Sequence, residues 1–263
     1  MANRRSVSLN AGPYEVGSVR KALEILCAFN SGGASLGVAD LGRQLGMPKS
    51  TVHNLLQTLE SLDFLRQDPA DRRYRLGPRL YELGLRYSHS THLISSAGPH
   101  LHKLAAETKE TVKLGVLSGD EVLIVAAVES PYQLHTRGDL GTRAPLHCTG
   151  LGKAILAALG AEEVKAIAKR RGLAPYTRHS ITNVDELQRE LADIRSRGFA
   201  TDMEENEVGV VCVAAPIEVR LHREAASVSV SGPSSRLNAE RRKQSSHLVV
   251  QTARAIERAL GQT

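Results

Sequence analysis

The chain has no tryptophan, only three phenylalanines and six tyrosines, and three cysteines among 263 residues. Aromatics at 3% leave few surfaces on which unpaired bases could stack, so single-stranded nucleic acid is not the expected partner. Cys27, Cys148 and Cys212 stand alone, without paired spacing. That pattern argues against a disulfide framework or zinc knuckle and for a reducing compartment. No apolar run approaches membrane length, and the basic start MANRRSVSLNAGPYEVG lacks the apolar core of a signal peptide. The expectation is a cytoplasmic protein that makes no membrane contact. Ten histidines produce no metal-ligand cluster at workable spacing, so neither metal nor cofactor is expected. What the chain does have is 41% apolar residues, enough length for two domains, and a net charge of +6 that suits a polyanionic partner.

Two motifs suggest enzymes and fail on inspection. HCTGLGKA, residues 147–154, carries a Gly-Lys pair opening a helix. A phosphate loop needs a glycine five residues before that pair and a hydroxyl after it. His147 and Ala154 hold those positions. A helix start with glycines still favours a small anion, because its free N–H groups point outward. GASLG, residues 33–37, fits the spacing of a nucleophile elbow, which requires a strand before it and a helix after it. A helix precedes it here, so Ser35 reads as a turn residue.

The first third of the chain reads as three short helices and a basic hairpin. Val16, Val19, Leu23 and Leu26 recur at helical spacing with Ala22, Ile25 and Phe29 beside them. A second helix carries Val38, Leu41 and Leu45, with small Ala39 facing its partner. A third starts near Pro48 and buries Val52, Leu55, Leu56, Leu59 and Leu62. This is the order of a helix-turn-helix, whose second helix sets its first turn against base edges and phosphates. Lys49, Ser50, Thr51, His53 and Asn54 supply donors and acceptors there. The hairpin after it forms a wing in which Arg72, Arg73 and Arg75 can neutralise phosphates.

The remainder mixes strands and helices. A bridging helix spans 78–90, and a helical stretch through Pro99 is expected to break or restart there. TVKLGVLS and EVLIVAAVE read as a hairpin through Gly119-Asp120, and GVVCVAAPIEV and EAASVSVSG as adjacent strands. Asn183 and Glu186 form a capping box, and Val249, Thr252, Ile256 and Leu260 mark a closing helix. Ser229 and Ser231 alternate on one strand, so both hydroxyls face one side.

LGMPKSTVHNLLQTLE…YRLGPRLYELG, together with LHCTGLGKAILA, TRHSIT, RSRGFATDMEENEVGVVCVAAPI and SVSVSGP, resembles the isocitrate lyase regulator (IclR) family of bacterial transcription factors. The blocks stand in family order over about residues 16–235. The resemblance implies an α+β chain: a winged helix-turn-helix over 15–77, a linker helix over 78–90, and a GAF/PAS-like α/β effector domain over 91–263. It implies a regulator, repressor or activator, that binds double-stranded operator DNA as a homodimer or dimer of dimers and is not an enzyme. It also implies a small-molecule effector, often a carboxylate, held by matching positions here: Gly150 and Leu151 through backbone N–H groups, with Asp202, Cys212, Ser229 and Ser231.

The sequence departs from the family pattern in three places. Asn54 stands where many members carry arginine, Asp63 where glycine is usual, and EVRLHRE lacks the glycine expected at its turn. Other readings stand beside these. Cys212 also reads as core, the two serines as groups satisfied by backbone, and Lys153 as a solvated helix residue that can help seat an anion. At the level of function, the rivals are a cysteine-dependent enzyme using Cys212 or Cys148 and an architectural DNA protein without a ligand.

Overall fold

The alternation of valine and serine in SVSVSG sets the plan of the larger part of the molecule. In a strand, neighbouring side chains leave opposite faces, so such a run is apolar on one side and polar on the other. In the computed structural model, which describes residues 14–90, 92–218 and 225–261, that run is β8 (Ala225–Pro233). The expected arm at the N-terminus, up to residue 13, and the turn inside EVRLHRE lie outside these residues. The chain divides into two units, Met1–Ser90 and Thr91–Thr263.

In the second unit β8 lies near the middle of a six-stranded sheet of order β5-β4-β3-β8-β7-β6, antiparallel at every pairing. The other strands are β3 (Thr111–Ser118), β4 (Glu121–Val128), β5 (Arg143–Ala144), β6 (Ala200–Met203) and β7 (Val210–Glu218). Val112, Leu114, Val213, Ala215, Val228 and Val230 face one core, built with α5 (Leu93–Thr108) and α9 (Ala239–Leu260). On the other face α6 (Gly150–Ala158) lies on the sheet, backed by α7 (Ala161–Arg171) and α8 (Val184–Arg197).

Helix α5 runs through Pro99 without a break. The proline gives up one backbone bond, while Ala97, Leu101 and Leu104 stay buried in the first core and hold the helix in place. Helix α8 starts on Asn183, whose side chain accepts from the N–H groups of Asp185 and Glu186.

In the first unit α1 (Gly17–Gly32), α2 (Val38–Leu45) and α3 (Lys49–Ser61) precede the hairpin of β1 (Leu65–Gln67) and β2 (Tyr74–Leu76), and α4 (Pro78–Ser90) follows. Leu36 bridges to Tyr74 and widens the hairpin by one short pairing. The core holds Ile25, Ala28, Phe29, Leu41, Val52, Leu56, Leu59, Leu65 and Tyr74.

Several expectations are corrected here. Val16, Val19 and Leu23 are exposed, as is Leu62, because α1 and α3 turn their other apolar sides inward. Ala39 is also exposed. The close approach belongs to Gly42, where a Cβ would stand 3.0 Å from the carbonyl oxygen of Met47. Asp63, in the usual glycine position, takes φ +60°, a left-handed conformation that aspartate tolerates better than most residues.

Candidate functional site

The surface of α3 is built by its buried stripe. With Val52, Leu56 and Leu59 turned inward, Lys49, Ser50, His53 and Asn54 are exposed on the opposite side and Thr51 is half-buried. Gln57 is exposed as well, one turn beyond His53, and extends the polar face. Sequence reading stopped at Asn54, although the same spacing reaches Gln57.

The wing arginines have separate fates. Arg72 is exposed at the tip with φ +59°, its carbonyl receiving the Gln67 side chain. Arg75 is ion-paired with Asp68 at 3.1 Å. Arg73 turns inward: its guanidinium donates to Ser35 Oγ at 3.2 Å, to the Ser35 carbonyl at 3.1 Å and to Asp40 Oδ2 at 2.9 Å. It fastens the wing to the start of α2, and Ser35 is one of its anchors. Arg72→Ala should therefore reduce the salt dependence of DNA binding by about one phosphate contact and leave Tm unchanged. Arg73→Ala should lower Tm as well as affinity. Binding titrations against salt, beside thermal unfolding of both variants, check this; equal Tm in the two would reject the fastener role.

The second cluster lies where α6 begins. Thr149 caps the helix, accepting from the Gly152 N–H at 3.0 Å and donating to the Pro145 carbonyl at 2.6 Å. Lys153 N–H closes the first turn on the Thr149 carbonyl. The N–H groups of Gly150 and Leu151 stay unpaired among the described residues, as at any helix start. Gly150 presses on the sheet: a Cβ there would meet Cys212 Sγ at 2.7 Å. Strand register sets Asp202 opposite Cys212, Cys212 opposite Ser231, and Ser231 opposite Thr111. Ser227, Ser229 and Ser231 share the α6 side, and Ser227 Oγ donates to the Leu151 carbonyl at 3.0 Å.

The electrostatics of this seat are uneven. Cys212 lies beside the hydroxyls of Ser231 and Ser229, and burial pushes its thiol up to about 11. Ser229 is fully buried, yet its Oγ forms no hydrogen bond of proper geometry. Burial raises Asp202 to about 7, with the nearby Glu205 carboxylate adding to the effect; its Oδ1 accepts the Glu205 N–H at 2.7 Å. Asp202 thus orders the turn after β6 rather than the serines. Lys153 is corrected: it is 2% exposed, with Nζ 2.6 Å from Glu205 and 3.3 Å from Glu190. The side chains of Thr177 and Ser180 donate to the carbonyls of Glu204 and Glu205, which explains the TRHS block.

His147 and Cys148 do not cooperate. His147 Nε2 lies 3.0 Å from the Ala174 carbonyl, while Cys148 Sγ is directed to Asn206 and burial pushes its thiol upward. A cavity of about 60 Å³ in this unit, lined by Leu146, His147, Leu156, Ile167 and Tyr176, is apart from the serine row. Sequence reading missed Lys113, on the α6 side of β3 and opposite Ser229 in the register. Its signal was present: lysine alternates with Val112 and Leu114 where a strand inside two layers would carry apolar residues.

Residues 18–69 match the IclR helix-turn-helix domain, and residues 85–258 match the bacterial transcriptional regulator IclR C-terminal domain. The HTH-type transcriptional repressor AllR of Escherichia coli K12 is 33% identical over 244 residues, 93% of this chain and 90% of that one. An IclR transcriptional regulator from Alicyclobacillus acidocaldarius superposes with a TM-score of 0.84 at 28% identity, over 94% of this chain and all of the other. An IclR homologue from Microbacterium hydrocarbonoxydans, solved with 4-hydroxybenzoate, gives a TM-score of 0.83 at 25% identity over 94% and 100%. No helix among the described residues is long and apolar enough to cross a membrane. A winged helix-turn-helix ahead of an effector-binding α/β unit, matched along nearly the whole chain, places this protein in the IclR family of bacterial transcriptional regulators.

Proposed function

We propose that this regulator reads operator DNA through Lys49, Ser50, Thr51, His53, Asn54 and the wing tip at Arg72. Arg75 is half-committed to Asp68, and Arg73 contributes by holding the wing. A small organic acid binds at Gly150, Leu151, Asp202, Cys212, Ser229 and Ser231, and biases the operator-binding state through its different affinity for the two states. The observation that carries this is the fully buried Ser229 hydroxyl on the sheet face that α6 covers, which has the Cys212 thiol beside it and no hydrogen bond of proper geometry. An unmet buried hydroxyl costs about 1–3 kcal/mol, a debt that a ligand oxygen removes.

The ligand is bound and released unchanged. Both buried thiols are held protonated by desolvation, which denies a cysteine enzyme its nucleophile. The protein works in the cytoplasm as a repressor of the AllR kind and as a dimer or dimer of dimers. Exposed Val19 and Leu23 on α1, with Tyr81 and Leu83 on α4, supply apolar surface for a second copy.

The test is thermal unfolding against a panel of small and aromatic carboxylates, with 4-hydroxybenzoate among them. A ligand at a hundred times its Kd adds about 2.7 kcal/mol. Ser231→Ala should abolish the shift while operator fragments selected from random DNA bind as before. A shift that survives Ser231→Ala would move the effector elsewhere, and consumption of the ligand would make the protein an enzyme.

A further inference from the structure

On the α6 side of the sheet the lining is small or neutral except at its two ends. Thr111, Ser227, Ser229, Ser231 and Cys212 carry no charge at neutral pH. At the β6 end stand Asp202 and the Glu205–Lys153–Glu190 cluster. At the β3 end stands Lys113, half-buried, next to Ser229 on one side and Ala127 on the other. Gly115, two residues on, meets Leu151 of α6: a Cβ there would lie 3.3 Å from its Cδ1. Lys113 therefore shares its face with the first turn of α6.

The ammonium of Lys113 has no ion pair among the described residues. The carboxylates of Asp139, Glu207 and Glu129 are near enough to act on it through space, but none bonds to it. Desolvation is the largest influence on this amine and lowers its pKa, so the site costs the charged form more than its surroundings return. Elsewhere in the unit the buried Lys153 is paired with Glu205 and the half-buried Arg236 with Glu110. A cation with no ion pair on β3 and a fully buried hydroxyl on β8, with no hydrogen bond of proper geometry and only the Cys212 thiol beside it, thus stand side by side across one register position.

Building on the effector seat proposed above, the geometry points to Lys113 as the counter-charge of the effector, and so to a monocarboxylic acid whose far end is neutral and donates a hydrogen bond. The carboxylate sits between the Lys113 ammonium and the Ser229 hydroxyl, within reach of the α6 N–H groups. The other end extends along the serine row toward Ser231 and Asp202, where an acceptor carboxyl suits a ligand hydroxyl. A second carboxylate there would face Asp202 and Glu205, so dicarboxylates are disfavoured.

The experiment uses the full chain, native and as Lys113→Gln, Lys113→Arg and Ser231→Ala. Probes are 4-hydroxybenzoate, lactate and glycolate, the primary amide of each, and malate as a dicarboxylate, read by thermal shift and calorimetric titration. The expected result is that an acid binds the native chain at least tenfold more tightly than its amide. Lys113→Gln should remove that difference by weakening the acid alone, and Lys113→Arg should restore part of it. The unliganded Tm of Lys113→Gln should not fall, since the lysine gives up no bond. Acid binding unchanged in Lys113→Gln overturns the inference, as does binding of malate or the amides in preference to every acid, or the absence of binding by all three acids. Loss in Ser231→Ala with none in Lys113→Gln leaves the seat standing and removes the lysine from it. Dependence on Lys113 with indifference to Ser231→Ala overturns the seat itself.

Discussion

Lys153→Met should destabilise the second unit by about 3–5 kcal/mol, the range for removing one partner of a buried ion pair. Its ammonium is 2.6 Å from Glu205 Oε1 and 3.3 Å from Glu190 Oε1, and the side chain is 2% exposed. Methionine keeps the packing of the stem, so the loss isolates the charge. Glu205 would then be buried with no cation beside it, and its Oε2 already has no partner. For a unit of this size the change is a fall of roughly 6–20 °C in Tm. Burial already holds the Glu205 carboxyl above its usual range, against the opposing pull of Lys153. Without the lysine it rises further. A carboxyl raised in the folded state contributes stability at low pH and loses it as pH climbs through the folded value. The deficit should therefore be largest near pH 8 and shrink toward pH 5. Lys165→Met, which removes an exposed pair with Glu162, should change little. A Lys153→Met protein as stable as the native one at pH 8 would refute the clasp.

The second large effect is expected in the other unit. Gly77→Ala should unfold the wing and abolish operator binding while leaving effector-induced stabilisation of the second unit intact. A Cβ at Gly77 would stand 2.1 Å from the Asp63 carbonyl oxygen and 2.8 Å from the carbonyl carbons of Asp63 and Phe64. All three atoms are backbone, so no rotamer change relieves the overlap. The same crossing carries the Gly77 N–H to Phe64 carbonyl bond at 2.8 Å and the Arg79 N–H to Asp63 carbonyl bond at 3.3 Å. Moving the chains apart loses both. Overpacking of this kind costs about 1–3 kcal/mol and more where nothing can yield. Hydrogen exchange on β1 and β2, together with operator titration, reads the result. Native affinity in Gly77→Ala would show that the crossing has slack.

What could be read from sequence here depended on how far apart the partners are. The face shared by Ser229 and Ser231 is a local consequence of strand geometry, and it was legible in five residues. The wing order and the cap at Asn183 are likewise local. Lys153 read as a solvated residue because its partners Glu190 and Glu205 are 37 and 52 positions away. Arg73 read as a phosphate contact for the same reason, its anchors being 33 and 38 residues back. The stripe of α1 misled in another way. The helix is apolar on more than one side, and periodicity alone does not say which side the fold turns inward. Lys113 was visible as an interruption in an apolar strand, but a lysine on a strand acquires meaning only when its sheet neighbours are known.

The clasp of Lys153 also bears on how tightly so small a molecule can be held. The helix that offers its N–H groups is locked by that lysine to the turn that Asp202 orders, and Ser227 ties the first turn of the helix to the central strand. The walls of the proposed seat are thereby preorganised, and they would lose little conformational freedom when an effector arrives. A ligand of ten or fewer heavy atoms has at most about 1.5 kcal/mol of binding free energy to draw from each. Little of that is spent on arranging the protein, and micromolar recognition of a metabolite this size stays within reach.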